Sequence, residues 1–276
     1  TVLIGCGPLG KYDFRKFYQW SIKEFKKIYF KWQLASDNDD FYLGNFLSNH
    51  DNGRAVSRFG NDRKYHKESA KALQTLIFMS RGTPFIYQGE EIGMTNIVLD
   101  VEDWKDFEAI NDYEVLQTMM HLPKGIAKKV VQKMTRDQAR TPMQWSSKEY
   151  AGFSSYKPWM VINPNYTSIN VEEQLSDSDS ILNFTRNCIN LYKSDDCFAF
   201  GKIEPLYQEH NQLLSFSRYN ELSEYIVFIN MSNKYINFKL NSKYLTSRIV
   251  LSNYSHPLFN EKMILRPYES IVIQVK

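Results

Sequence analysis

No run of apolar residues among these 276 approaches the roughly 18 that a membrane-spanning helix needs, so no helical span is expected among them. Cysteine is scarce. Cys6, Cys188 and Cys197 are spaced for neither a zinc site nor a disulfide framework, and they read as reduced structural thiols of a cytoplasmic protein. Four Asn-x-Ser/Thr sequons, at Asn165, Asn183, Asn230 and Asn253, point the other way, but an Asn- and Ser-rich chain yields such matches by chance. Charge of one sign is lacking too. The net charge is +3 with acids and bases interspersed, and no basic tract or nucleic-acid motif stands out, so neither nucleic acid nor a membrane is an expected partner. No signal peptide is visible. The chain opens on Thr1 rather than Met, so that absence carries little weight. Internal repeats and long low-complexity stretches are also missing.

What is present is a substantial core. A hydrophobic fraction of 43% in a chain of this length supports one large domain or a large plus a small one. Aromatic residues make up 15%, which suits carbohydrate binding and equally suits ordinary packing.

Tyr18, Ile22, Phe25, Tyr29 and Trp32 recur at helical spacing and form one apolar stripe, ended by residues 37–40. Residues 41–47 read as a buried strand. A second helix follows, with Ala70, Leu73, Leu76 and Ile77 on one face and Gly82 as its stop. Residues 83–87 read as another short strand, with Pro84 tolerated near its start. Helix, strand, helix, strand at this spacing argues for βα units and a parallel sheet. Residues 103–136 are polar and helical in character, broken near Pro123-Lys124-Gly125, and read as an excursion from the core. Residues 180–193 carry Ile181, Phe184, Cys188, Ile189 and Tyr192, a last amphipathic helix. After about residue 196 short alternating runs take over, at 213–219, 225–230, 236–240, 248–251 and 270–275. These predict an antiparallel β domain, a small sandwich.

Three segments carry candidate chemistry. The first is Asn49-His50-Asp51-Asn52-Gly53-Arg54-Ala55-Val56-Ser57-Arg58-Phe59-Gly60-Asn61-Asp62, entered directly from the strand at 41–47. Catalytic groups of a (β/α) barrel sit at the C-terminal ends of its strands. A carboxylate released there can face an oxocarbenium-like transition state or orient sugar hydroxyls. Position alone equally allows Asp51 to cap the next turn with His50 packed beside it. The second segment, Arg136-Asp137-Gln138-Ala139-Arg140-Thr141-Pro142-Met143-Gln144-Trp145, places two arginines on one turn. Their forked donors can hold a carboxylate or sugar hydroxyls, or simply pair nearby acids in a structural loop. The third, Tyr87-Gln88-Gly89-Glu90-Glu91-Ile92-Gly93-Met94, puts two carboxylates side by side at a strand end. Neighbours on a strand point to opposite faces, so Glu90 and Glu91 should not converge on one bond, and ion pairing with Arg81 or Arg54 is the expectation.

Taken in order, these segments are more specific than any one alone. With Arg81-Gly82-Thr83-Pro84-Phe85-Ile86 ahead of the third, Ala151-Gly152-Phe153, Pro158-Trp159 and Val161-Ile162-Asn163-Pro164-Asn165-Tyr166, they resemble the C-terminal half of glycoside hydrolase family 13, in its oligo-1,6-glucosidase subfamily. The likeness runs from about Gly10 to the C-terminus and is weakest ahead of residue 40 and over the β domain. It implies an α/β fold: a partial (β/α)8 TIM barrel, built from its C-terminal strands and helices over residues 1–195, followed by an antiparallel β-sandwich domain over 196–276. It also implies that Asp51 is the carboxylate that stabilises the transition state, that His50 hydrogen-bonds the glucose in the −1 subsite, and that Arg136 contacts the same subsite. Arg140 is a weaker substrate-binding candidate with a structural alternative, and Arg54 and Asp62 belong to the motif without a catalytic role.

The family works by retention, with one carboxylate as nucleophile and another as acid/base. No segment here resembles the Gly-Phe-Arg-x-Asp nucleophile region or the acid/base context, and both are expected upstream of Thr1. The implied function is therefore that of the C-terminal portion of an α-glucosidase, hydrolysing terminal α-1,6 bonds of isomalto-oligosaccharides and inactive in isolation. Sibling activities are an α-1,4-glucosidase, a trehalose-6-phosphate hydrolase or a sucrose isomerase. A non-catalytic glycan-binding or decayed homologue is the rival of another class, and a separate chain supplying the N-terminal half is a third arrangement. No cofactor is implied here; the family's calcium region belongs to the N-terminal half. Asn52-Gly53 stands where the family has Gln-Pro, beside the substrate entrance, which leaves linkage preference open.

Overall fold

Ser21 starts the first helix: its hydroxyl accepts the Glu24 amide at 3.1 Å, and α1 runs over Ile22–Ala35. The computed structural model describes residues 21–36 and 41–276. Tyr18 as the first member of the stripe, residues 37–40 as its end, and Cys6 lie outside the described residues. Phe25 and Tyr29 are buried as the stripe predicts, but Trp32 is only half-buried and its neighbour Gln33 takes the core position. There Gln33 donates to Asn45 and accepts the Arg81 amide, while Asn45 donates to the Arg81 carbonyl. This chain of amides pins α1 against the strand pair, and buried amides are tolerated because each finds a partner.

The two expected strands form and pair in parallel, but each is short: β1 is Gly44–Asn45 and β2 is Thr83–Pro84. Pro84 is tolerated because the ladder to β1 runs from Thr83 N to Leu43 O and from Phe85 N to Asn45 O, both 2.8 Å, and needs no N–H from it. Between the strands lie α2 (Ala55–Phe59) and α3 (His66–Met79). Gly82 does not stop α3; Ser80 does, by turning to extended backbone. Gly82 serves a different purpose. Its φ is +118°, and a Cβ there would lie 2.4 Å from the Leu43 carbonyl oxygen of β1. Gly82→Ala is therefore expected to destabilise by about 2–3 kcal/mol, through positive φ and a backbone clash. A urea midpoint that does not move would show that β1 yields without loss.

Residues 103–136 are more than an excursion. The helices α4 (Phe107–Thr118) and α5 (Lys124–Met134) close their own apolar cluster of Ile97, Leu99, Trp104, Leu116 and Val131. Next come α6 (Val171–Ser176), α7 (Ile181–Ser194) and α8 (Asp196–Phe200). The expected last helix matches α7, and α8 follows it because the Asp195 carboxylate caps it through the Cys197 amide at 2.8 Å.

The remainder is antiparallel. Strands β3 (Lys202–Leu206), β4 (Leu213–Tyr219), β5 (Glu224–Asn230), β7 (Arg248–Ser252) and β9 (Ser270–Gln274) form one sheet in the order β3-β4-β5-β9-β7. Strands β6 (Ile236–Lys239) and β8 (Lys262–Leu265) form a second pair. Of these, β3 and β8 were not expected. Both faces of the larger sheet are covered. Leu213, Ile226, Phe228, Ile271 and Ile273 pack with Ile236, Met263 and Leu265 of the smaller pair. The alternate residues Leu214, Phe216, Val227, Ile229 and Val272 join the cluster containing Phe25, Leu76 and Phe184 from the helices. Burial on both sides hides the usual alternation. Arg218 of β4 locks this contact: wholly buried, it donates to the carbonyls of Met79, Cys197, Phe198 and Gly201, where α3 and α8 end.

Candidate active site

The chain leaves β1 through residues 46–48 and turns at 49–52. Asn49 makes the turn: its side-chain oxygen accepts the Asp51 amide at 2.9 Å and the Asn52 side-chain amide at 2.8 Å, an Asx turn. His50 and Asp51 are thus presented outward, with side chains 71% and 50% exposed, while their backbone is held. The His50 imidazole Nε2 lies 3.3 Å from one Asp51 oxygen.

The second arginine segment closes on this turn. Arg140 donates from Nε to the His50 carbonyl and from Nη2 to Asp51 Oδ1, each at 3.1 Å. Asp51, His50 and Arg140 are therefore brought together. Arg136 is held differently. Its guanidinium and its backbone amide both bond the Asp106 carboxylate, and its ring-side face lies 5.3 Å from the Phe107 centroid. Burial pushes Asp106 up, but the bonds and charge of Arg136 outweigh it and hold the carboxyl below its ordinary range. Arg136 is kept cationic first by Asp106, with smaller contributions from Glu108 and Asp51. Asp51 therefore lies within the electrostatic reach of Arg136 without a direct bond between them being what orients either. Asp106 escaped the sequence reading, because nothing in a polar helical stretch 30 residues upstream marks it as the partner of Arg136.

The adjacent acids occupy a 3-10 turn, Glu90–Ile92, rather than a strand end, because Gly89 takes a left-handed φ of +84°. They face inward. Glu90 is buried and accepts the Tyr87 amide at 3.2 Å, and burial pushes its carboxyl up to about 8. Arg54 is buried beside them, brought down to about 10 by burial against the opposing charges of Glu90 and Glu91. The expected ion pair with Arg54 does not form: its guanidinium bonds the Gln88 carbonyl and both oxygens of Thr141, and it senses the two acids only at longer range. Arg81 instead gives its guanidinium to the Ser36 carbonyl and the Tyr42 ring face. A cavity of about 10 Å3, room for one water, is lined among others by Arg54, Gln74 and Glu90. Each of these three carries a buried polar atom without a protein partner.

The arrangement can do one kind of chemistry. A half-exposed carboxylate, fixed through its backbone and one oxygen, presents negative charge to a ligand beside two further donors. Such a group stabilises positive charge or orients hydroxyls. It cannot by itself cleave a glycosidic bond, which in retaining enzymes takes a pair of carboxyl groups about 5 Å apart. Among the described residues no group of three or more His, Cys, Asp or Glu is placed to hold a metal ion. The four sequon asparagines are all used internally: Asn230 and Asn253 are buried, and Asn165 and Asn183 donate to Thr95 and to backbone carbonyls.

The family model described as the alpha-amylase catalytic domain matches residues 9–201. An oligo-1,6-glucosidase of Parageobacillus thermoglucosidasius is 39% identical over 99% of this chain and 49% of its own length. The crystal structure of Bacillus licheniformis trehalose-6-phosphate hydrolase superposes with a TM-score of 0.89 at 33% identity, over 95% of this chain and 48% of the other. Isomaltulose synthase from Klebsiella sp. LX3 gives 0.87 at 31% identity, over 93% and 47%. The chain spans about half the length of the curated relatives it matches.

Proposed function

The chain belongs to the alpha-amylase family of catalytic domains, and from that premise we propose that it is the C-terminal part of an α-glucosidase acting on terminal α-1,6 bonds of isomalto-oligosaccharides. The observation that carries the proposal is the Asp51 carboxylate held half-exposed at a strand end between His50 and Arg140. In this reading Asp51 stabilises the oxocarbenium-like transition state, His50 and Arg140 bind the sugar beside it, and Arg136 adds positive charge to the same pocket. The nucleophile and the acid/base come from a region outside these residues. The β1–β2 pair is then two adjacent strands of a TIM barrel, and the five-stranded sheet with β6–β8 a β-sandwich against it, dividing the chain near residue 195. Calcium, where the full protein binds it, belongs to the other half.

The strand pair supports a missing partner. Among the described residues its sheet holds β1 and β2 alone, and Phe41, Tyr42, Phe85 and Ile86 beside it are exposed. Open strand edges flanked by large apolar side chains call for further strands, and the N-terminal half of a barrel provides them. Cys188 and Cys197, buried and free, support a cytoplasmic setting. No helix among the described residues is long and apolar enough to cross a membrane.

The test reads the coding DNA upstream of Thr1 and assays the chain alone and together with whatever that DNA encodes. The chain alone should release no glucose from isomaltose, maltose, trehalose 6-phosphate or sucrose. The extended protein should hydrolyse isomaltose fastest. Faster turnover of another of the four would replace the linkage assignment by the sibling activity, and activity of the chain alone would overturn the division of catalytic groups. Glycan binding without hydrolysis by the extended protein would favour the non-catalytic homologue.

A further inference from the structure

Two arginines tie the same pair of turns from opposite sides. Arg140 reaches from the second turn to the first, bonding the His50 carbonyl and the Asp51 carboxylate. Arg54, three residues beyond Asp51, reaches from the first turn to the second. Its Nη2 donates to the hydroxyl of Thr141 at 3.2 Å and to the Thr141 carbonyl at 3.4 Å, and Thr141 is the residue next to Arg140. Its Nη1 donates to the Gln88 carbonyl at 2.5 Å, which adds the loop after β2 to the same fastening. The backbone of Arg54 is anchored as well: its amide donates to Asn96 Oδ1 at 2.8 Å, and Gly53 leaves the room, since a Cβ there would lie 2.9 Å from that oxygen. Arg140 works on the half-exposed side, whereas Arg54 is only 1% exposed.

We propose that Arg54 is a positioning residue for Asp51: by fixing Thr141 and Gln88 from the buried side, it sets the turn from which Arg140 reaches the carboxylate. The plainer reading makes Arg54 a fold arginine like Arg218, equally buried and equally given to carbonyls. The two differ in their acceptors. Those of Arg218 lie at the ends of α3 and α8 and in β3, whereas those of Arg54 lie on Thr141, next to the Arg140 that bonds Asp51, and on Gln88 in the loop after β2. A lysine at position 54 would keep the charge but could not reach Gln88 and Thr141 with one planar fork. Burial is the largest influence on this guanidinium, and its bonds to the Gln88 carbonyl and to both oxygens of Thr141 keep it partnered in this buried place. The functional meaning of this positioning rests on the glycosidase reading of Asp51.

Arg54→Lys is the direct test, and Thr141→Val is the gentler one, because it keeps the side-chain shape and removes only the hydroxyl. Thr141→Ser returns the hydroxyl. The first readout is hydrogen exchange of arginine Nε–H groups by NMR in the 276-residue chain. Exchange at Arg140 should quicken about 10-fold in Thr141→Val and Arg54→Lys, and return to within about twofold of the parent in Thr141→Ser. The Nε–H groups of Arg136 and Arg266, which donate to Asp106 and Glu269, serve as internal references and should not move. The second readout is turnover by the extended protein, where Thr141→Val should lower kcat about 10-fold with KM changed less than about twofold. Unchanged exchange at Arg140, or equal acceleration at all three arginines, overturns the positioning role whatever the activity does. An extended parent protein with no glucosidase activity overturns the functional reading instead, and the exchange readout still decides the positioning.

Discussion

Asp51→Asn in the extended protein is expected to lower kcat by about 10^3-fold while KM changes little, since in its proposed role the carboxylate acts on charge that develops only in the transition state. Asparagine keeps the oxygen that accepts from Arg140 Nη2 and the backbone amide that bonds Asn49, so the turn should survive. What is lost is the negative charge that the proposed function aims at the sugar. Because the Asp51 side chain is half-exposed and its ion pair with Arg140 lies near the surface, the same change should shift unfolding free energy by less than about 1 kcal/mol. The measurement is steady-state kinetics on an aryl α-glucoside beside a urea titration. A kcat within threefold of the parent, with an unchanged fold, would remove Asp51 from the chemistry.

Glu90→Gln is expected to leave the chain more stable than its parent at pH 8 and about equal to it near pH 5. Burial dominates the Glu90 environment and raises its carboxyl from 4.5 to about 8, with Glu91 adding to the effect and the Tyr87 amide and Arg54 opposing it. The folded chain therefore holds this proton more tightly than the unfolded chain. The contribution is complete below about pH 4.5 and is lost as pH rises toward 8. Glutamine has no proton to lose, so the gap between parent and variant should open across this window to about 3 kcal/mol. Asp106, Asp177, Asp179 and Asp195, all held below 3.8, act in a separate and more acidic window and in the opposite sense. Urea unfolding of both proteins at pH 5 and pH 8 decides the matter. Parallel pH dependence would mean that Glu90 remains ionised against Arg54.

Much of the fold was legible because local pattern and tertiary environment agree. The stripe of α1 and the helix α7 follow a 3.6-residue repeat that one-sided burial preserves, and α3 keeps an apolar face although it is buried all round from Ser69 to Met79. The strand 213–219 matches β4 end to end, and its neighbours fall within a residue of their expected ends. Failures cluster where a partner far along the chain decides. Gly82 looks like a helix stop, but the left-handed conformation and the nearby Leu43 carbonyl make it a close-approach residue. Strand β3 is disguised by Pro205, and β8 by the exposed Ile264 between buried Met263 and Leu265, which hides its alternation in an apolar run. Gln33 occupies a core position that any hydrophobic pattern assigns to an apolar residue, because two amides across the strand pair satisfy it.

The sequence by itself determined the family and singled out the candidate site: a His-Asp pair released from a strand, a later turn carrying two arginines, and the order of both within one family's motifs. Short-range chemistry suffices for this, since Asn49 builds its own turn from the residues beside it. Only the tertiary structure decided how the site is wired. It assigned Arg140 to Asp51 and Arg136 to Asp106, turned Glu90 and Glu91 inward toward Arg54, and closed the clasp through Thr141. Those choices depend on which charges come within a few ångströms after residues dozens of positions apart have packed, and no periodicity in the chain encodes that distance.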